Sequence, residues 1–409
     1  MILGIDASRA NLPQRTGTEW YAYFLIKNFF EIIPRDVSVR LYTKSKLQND
    51  FGIVPTNVKT KVLAWPPKFL WSQLRLSGEM ALHRPDMLFV PAHTIPYIHP
   101  RNTVTTLHDV GFERFPEAYS SSPITGHPSG GIAMTNALIR LFSFGKYANN
   151  ELDYHRFSAR FAISHARRIL TVSEFSKREI VTLFKTNPEK ISVIRNGYDN
   201  TIFSPERFQD AEMKIRQKIG SGDEYLISVG RLEFKKNTVR MVEAFAMAKK
   251  RLNAKNLKFV LIGAQGYGYD KVLEVIKKNN LSDSVLTPGW LDMHSYVHLL
   301  RGAKIFFFAS IYEGFGIPLL EAMACGVPIL ASETSSIPEI CGTSALYCDP
   351  FNVGDLAQKL ELLLSDQQLR RALIEKGYVQ VQQFSWKRCA RETLEILRQE
   401  WEYMSVGGT

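Results

Sequence analysis

The sequence has no long apolar run. None of its stretches approaches the ~18 residues that cross a bilayer as a helix, and the longest candidates, such as KIFFFA at 304–309, have strand length. A membrane-spanning helix is not expected. The N-terminus, MILGIDASRA, has no basic leader and turns polar at Asp6, so it reads as a first strand and a cytoplasmic location is expected. Cysteine is scarce: Cys325, Cys341, Cys348 and Cys389 form no Cys-x-x-Cys and have no accompanying histidine cluster. That spacing argues against a zinc site and a disulfide framework, and predicts reduced, mostly buried thiols. Asp-x-Asp, the tripeptide with which many nucleotide-dependent transferases hold a metal, is also absent.

What is present suits packed cores. Hydrophobic residues make up 45% and charged residues 22% of 409, which excludes wholesale disorder, collagen and coiled coil. The length suggests two comparable domains. The net charge of +11 is unevenly spread: residues 1–200 hold 25 basic and 16 acidic side chains, against 26 and 24 in the remainder. A positive first half suits nucleic acid, an anionic membrane surface or a phosphorylated substrate, and charge alone does not choose among them.

Short apolar or β-branched runs alternate with helical stretches, the pattern of βαβ units around parallel sheets. They fall at 2–5, 37–42, 58–63, 87–90, 103–108, 168–172 and 191–194, then again at 225–230, 258–263, 284–289, 304–309, 328–331 and 345–348. The turn-rich RNGYDNTIFSPERF between the two sets places a boundary near residue 203. The expected architecture is two doubly wound α/β domains, 1–203 and 204–385, with a final helix in 386–409. Ligands are then expected at the carboxyl ends of the strands and in the cleft between the domains. In NTVRMVEAFAMAKKRL, Met241, Phe245 and Ala248 share one helical face. The stretch 119–150 opens with Ser, Pro and Gly, becomes strongly apolar, and looks inserted. It reads either as a lid docked on its own domain or as an interfacial segment meeting lipid.

The most informative stretch is ASIYEGFGIPLLEAMACGVPIL at 309–330. A strand ends just before it, Gly314 and Gly316 free the backbone for close approach, and Pro318 suits a first helical turn. Free amides at such a helix start make a site for an anion or a polyol. Glu313 and Glu321 can each accept hydrogen bonds from adjacent sugar hydroxyls. In SVGRLEFKKN, a strand ending at Gly230 delivers Arg231, Lys235 and Lys236 into a loop, with Asn237 or Thr238 as the expected N-cap. Arginine offers a fork for phosphate oxygens and lysine a mobile point charge. Gly17 precedes a helix, and His108 and Asp109 stand at a strand end.

Together these residues resemble the family 4 retaining glycosyltransferases of the GT-B fold, two facing Rossmann-like domains, and are closest in pattern to bacterial mannosyltransferases. Glu313 and Glu321 meet the family's Glu-x7-Glu, GRLEFKKN its phosphate-binding segment, and HD at 108–109, VSEFSK at 172–177 and RNGYD at 195–199 follow its order. The resemblance runs from GIDAS to FSWKRCARETLEIL, the helix that crosses back onto the first domain. It implies that Arg231 and Lys236, after Gly230, hold a donor diphosphate approached by Gly17. Glu321 would take the ribose hydroxyls. Glu313, with the backbone amides of Phe315 and Gly316, would hold the transferred sugar, Gly314 and Ile317 would belong to the same nucleotide-sugar site, and His108 would lie beside the sugar's reacting face. PGWLD at 288–292, with Leu291 and Asp292, would read the base. Departures are Ala309-Ser310 for the usual Pro-Ser and Thr16-Gly17 for Gly-Gly.

The implied reaction is metal-independent and needs no cofactor: a hexose, best mannose from GDP-mannose, passes to a saccharide or lipid-linked acceptor with configuration retained. The departing phosphate can itself take the acceptor's proton. A UDP-sugar donor is the alternative, followed by a glycoside hydrolase built on the two acids or a nonenzymatic nucleotide-binding or nucleic-acid-binding protein. Aromatics interleaved on a basic stripe are absent, so no nucleic-acid partner is expected. The basic first half and apolar insert suit peripheral contact with the inner face of the membrane.

Overall fold

The computed structural model describes residues 1–65, 70–120 and 150–405. The chain forms two compact units, one of residues 1–196 with 386–409 and the other of residues 197–385. Each is built on one parallel sheet. The first contains β1 (Ile2–Asp6), β2 (Ser38–Thr43), β3 (Val58–Val62), β4 (Met87–Val90), β5 (Thr103–Thr106), β6 (Arg168–Thr171) and β7 (Ile191–Val193), in the order β3-β2-β1-β4-β5-β6-β7. The second contains β8 (Tyr225–Val229), β9 (Lys258–Ile262), β10 (Val285–Gly289), β11 (Ile305–Phe308), β12 (Ile329–Ser332) and β13 (Ala345–Cys348), in the order β10-β9-β8-β11-β12-β13. Every predicted strand segment is present. All thirteen pair in parallel because the chain returns through a crossover after each one.

The central strands present no face to solvent. All four residues of β4, β5, β11 and β12 are buried, as expected of parallel strands covered on both sides by helices. Helix Thr238–Arg251 buries Met241, Phe245 and Ala248, the face anticipated from spacing, together with Val242 and Ala244. Phe245 packs on Phe259, and Phe259 stacks on Phe307, so one aromatic row joins this helix to β9 and β11. All four cysteines are free and buried.

The chain leaves the first unit between Asn196 and Gly197, ahead of residue 203. The intervening residues are held by the second unit. Arg301 donates to the carbonyl oxygens of Ile202 and Ser204, and Phe203 packs edge-on against Tyr296. Most of the inserted stretch, residues 121–149, lies outside the described residues. Among the described residues no helix is long and apolar enough to cross a membrane.

The C-terminal helix, Trp386–Ser405, belongs to the first unit and lies along helix Gly17–Ile32. Trp386 is buried and stacks on Phe24 at 5.2 Å, with Tyr21 at its edge. Farther along, Glu400 takes both Arg167 and Arg168, at 3.1 and 2.5 Å. Truncating a buried Trp forfeits about 3–5 kcal/mol of packing. Trp386→Ala is therefore expected to lower the thermal midpoint of the full chain by several degrees. A change worth less than about 1 kcal/mol would show that the helix is anchored elsewhere.

Candidate functional site

In the second sheet β8 and β11 are neighbours although β9 and β10 separate them in the chain. Loops leaving their carboxyl ends run to opposite sides of the sheet, which is where open α/β sheets bind ligands. The two motif loops leave from these ends. Asn237 laces them together: its Nδ2 donates to the carbonyl oxygens of Ala309, at 3.0 Å, and Pro350, at 2.7 Å. The amide of Ile311 donates to the Lys235 carbonyl at 2.8 Å. This corrects one expectation. Asn237 occupies the N-cap position of its helix but makes no capping bond, and it takes a left-handed backbone (φ 61°) so that its side chain can reach β11 instead.

Lys236 Nζ and Glu313 Oε1 lie 2.5 Å apart, so the basic loop and the acidic motif meet in one ion pair. Both side chains are largely buried, and Lys236 also lies against the ring of Phe308. Gly230 gives that lysine room, since a Cβ there would come 3.3 Å from Lys236 Cε. Gly263, at the end of β9, is under a stricter demand: a Cβ would fall 2.0 Å from the Gly230 carbonyl oxygen, and its φ is +143°. The Glu313–Phe315 loop is held from below by β12's exit. Ser335 Oγ accepts from the Glu313 amide, and Ser336 Oγ is within 3.0 Å of the Glu313 and Phe315 carbonyls, to which it donates.

Arg231 is more exposed than Lys236, and the structure pairs it with Glu233 at 3.7 Å. Glu233 also faces Lys235 at 3.4 Å. Gly316 (φ +101°) opens helix Ile317–Ala324, with Gly314 and Phe315 buried before it and Ile317 half-buried at its start. Glu321 lies one turn in. It is not bonded to Glu313 but to Tyr296, whose hydroxyl donates to Oε2 at 2.6 Å. Burial pushes the Glu321 carboxyl up to about 7. The Tyr296 hydrogen bond pulls it down, and the negative charge of Asp199 adds to the rise.

The remaining site candidates fall in two places. Asp292, beyond β10 next to half-buried Leu291, caps helix Met293–Arg301: its Oδ1 accepts from the Ser295 amide and its Oδ2 from the Ser295 hydroxyl. These bonds hold its pKa below the usual carboxylate value. Gly17 and His108 belong to the first unit. A Cβ on Gly17 would meet nothing within 4 Å, so packing does not demand glycine there. His108 lies edge-on to Tyr21 at 4.6 Å, with Nε2 3.4 Å from the Pro91 carbonyl oxygen. Burial pushes its pKa down to about 4, so the imidazole is neutral at pH 7.

Two family models cover most of the chain. Residues 16–201 match "Glycosyltransferase Family 4" and residues 209–380 match "Glycosyl transferases group 1". The chain belongs to glycosyltransferase family 4 and has the GT-B fold. Among related family members, an O-antigen chain mannosyltransferase B of Escherichia coli is 26% identical over 64% of this chain and 68% of its own length. A serotype-specific mannosyltransferase WbdA of the same species is 27% identical over 61% of this chain but only 30% of its own length. The lipopolysaccharide glycosyltransferase WaaG superposes with a TM-score of 0.68 at 17% identity, covering 97% of this chain and 99% of its own. Anabaena HepE, solved with UDP-glucose, gives 0.69 at 16%, with the same coverages.

Tyr296, Glu233, Ser335, Ser336 and Gly263 support this candidate site without having been visible as site residues in the sequence. Glu321 yields a direct test. Its folded pKa of about 7 lies above the ordinary 4.5, so its stabilising contribution is full below about pH 4.5 and is lost as pH rises through 7. Glu321→Gln should therefore raise the thermal midpoint at pH 8, with the gain disappearing at pH 5. Tyr296→Phe removes a bond that lowers the pKa, so the Glu321 carboxyl resonance in carbon-13 NMR should titrate at higher pH. A downward move would reverse the assignment.

Proposed function

We propose that the protein transfers a hexose from a nucleotide-diphosphate sugar to a saccharide or lipid-linked acceptor in surface polysaccharide synthesis. Mannose from GDP-mannose is the favoured donor, and the anomeric configuration is retained. The observation that carries the reading is the Lys236–Glu313 pair at the strand-order reversal of the second sheet, beside the helix start at Gly316. Breaking a sugar–phosphate bond leaves negative charge on the departing diphosphate, and cations and amides fixed in advance stabilise that charge without reorganising. Lys236 and Arg231 supply the cations, and the start of helix Ile317–Ala324 supplies a dipole, so the reaction runs without a metal. Glu313 aims Lys236 and accepts hydrogen bonds from the transferred sugar. Glu321, steadied by Tyr296, accepts from the ribose hydroxyls.

In the chemical step the bond from the anomeric carbon to phosphate oxygen breaks, with its electron pair leaving on the nucleoside diphosphate. The acceptor oxygen bonds to the same face of that carbon. Mannosyltransferase relatives support the choice of mannose. HepE's complex with UDP-glucose keeps a UDP-sugar as the second reading. The basic first half supports an anionic or lipid-linked acceptor met at the inner face of the membrane.

Ligand binding to the folded state raises the melting midpoint, so thermal-shift screening against GDP, UDP, ADP and their sugars identifies the donor. GDP and GDP-mannose should give the largest rise. A rise confined to uridine compounds would select the second reading, and none at all would remove the proposal. With the donor known, Glu313→Gln should impair turnover more than nucleotide affinity and Glu321→Ala should weaken affinity directly. Combined Arg231→Ala and Lys236→Ala should abolish detectable transfer, whereas chelator should leave the wild type unchanged. Activity surviving in the double variant would refute the cationic account.

A further inference from the structure

MHSYVHLLR at 293–301 carries the one His-x3-His of the sequence. Residues four apart on a helix share a face, and helix Met293–Arg301 brings the two imidazoles together. Nε2 of His294 lies 3.3 Å from Nε2 of His298, with ring centroids 4.4 Å apart. Two nitrogens bound to one tetrahedral ion at about 2.0–2.1 Å stand about 3.3–3.4 Å apart, so the pair is spaced as two ligands of a single metal. Among the described residues neither Nε2 has another hydrogen-bond partner.

A lone hydrogen bond between neutral rings fits the same distance but serves His298 poorly. That residue is 5% exposed, and its Nδ1 is buried without a partner. An imidazole buried with one nitrogen bonded is less stable there than an apolar side chain of similar size, and a metal–nitrogen bond at Nε2 offsets the difference. Phe208 closes one side, edge-on to His298 at 5.5 Å, while His294 is exposed and gives an ion a way in from solvent. The charged neighbours are engaged elsewhere. Arg207 holds Glu212 at 2.6 Å, and Arg301 donates to the carbonyl oxygens of Ile202 and Ser204. Among the described residues no third His, Cys, Asp or Glu is placed to join the pair, so water fills the remaining coordination positions. Imidazole ligands favour Cu2+ and Zn2+ over Mg2+ and Ca2+, which take oxygen.

We propose that His294 and His298 bind one divalent transition-metal ion, Cu2+ or Zn2+, through their Nε2 atoms, as a clip across the first two turns of helix Met293–Arg301. All of the residues concerned lie in the second unit. The ion takes no part in hexose transfer, and the site stands independently of the glycosyltransferase reading.

The test uses the untagged full chain, stripped of metal and titrated with ZnCl2 or CuCl2 at neutral pH in a buffer that does not bind metals. One equivalent should bind, Cu2+ more tightly than Zn2+, and the thermal midpoint should rise with added ion. Zn2+ should shift the side-chain nitrogen-15 resonances of His294 and His298. His294→Gln removes a ligand at an exposed position and should weaken binding at least about tenfold, whereas His83→Gln should leave it unchanged. A wild-type Kd weaker than about 1 mM for both ions would overturn the proposal. So would a His294→Gln affinity within about threefold of wild type, or shifts confined to other histidines, either of which marks adventitious binding elsewhere. His298→Gln should match His294→Gln. If it fails to fold, the His294→Gln titration and the resonances decide.

Discussion

The ion pair between Lys236 and Glu313 is the constraint on which the second unit's site depends. A lysine turned into a largely buried corner would shed its proton or swing out to water unless an acid met it there. Glu313 meets it at 2.5 Å. Everything nearby keeps that meeting in place: Asn237 ties the β8 loop to the end of β11, the serines after β12 hold the backbone of Glu313, and the Gly230–Gly263 contact lets β8 and β9 close beneath. The pair gives the protein a positive group that is aimed before any ligand arrives.

Each unit, taken by itself, repeats one plan. Parallel strands buried on both faces supply rigidity, and the polar groups gather where strand order reverses. In the second unit the gathered groups are cations, an acid and a helix start, which suit an anion bearing hydroxyls. In the first they include the imidazoles of His93 and His108, whose pKa values burial lowers.

The strands were legible because each is a short apolar run between turn formers, and the Glu313 and Arg231–Lys236 loops because glycines and charges collect just past a strand end. The pairing of Lys236 with Glu313 was not legible: 77 positions separate them, and only the β8–β11 adjacency joins them. Tyr296 is hidden for the same reason, since in the chain it is an aromatic on a helical face 25 positions from Glu321. Asn237 read as a cap because asparagine before a helix usually is one. The local rule yielded to the carbonyls of Ala309 and Pro350, which its side chain reaches instead. His93 and His155 look like isolated histidines until β4 and helix Glu151–His165 bring their rings together.

The buried thiols carry a practical consequence. Burial raises the pKa of Cys325 to about 12 and raises those of Cys341, Cys348 and Cys389 as well, so at neutral pH none presents a thiolate to reagents. The native chain is therefore silent towards maleimides and similar electrophiles. A single cysteine introduced at an exposed position would be the only labelling point, and fluorophores or spin probes could be attached without first stripping the core of sulfur.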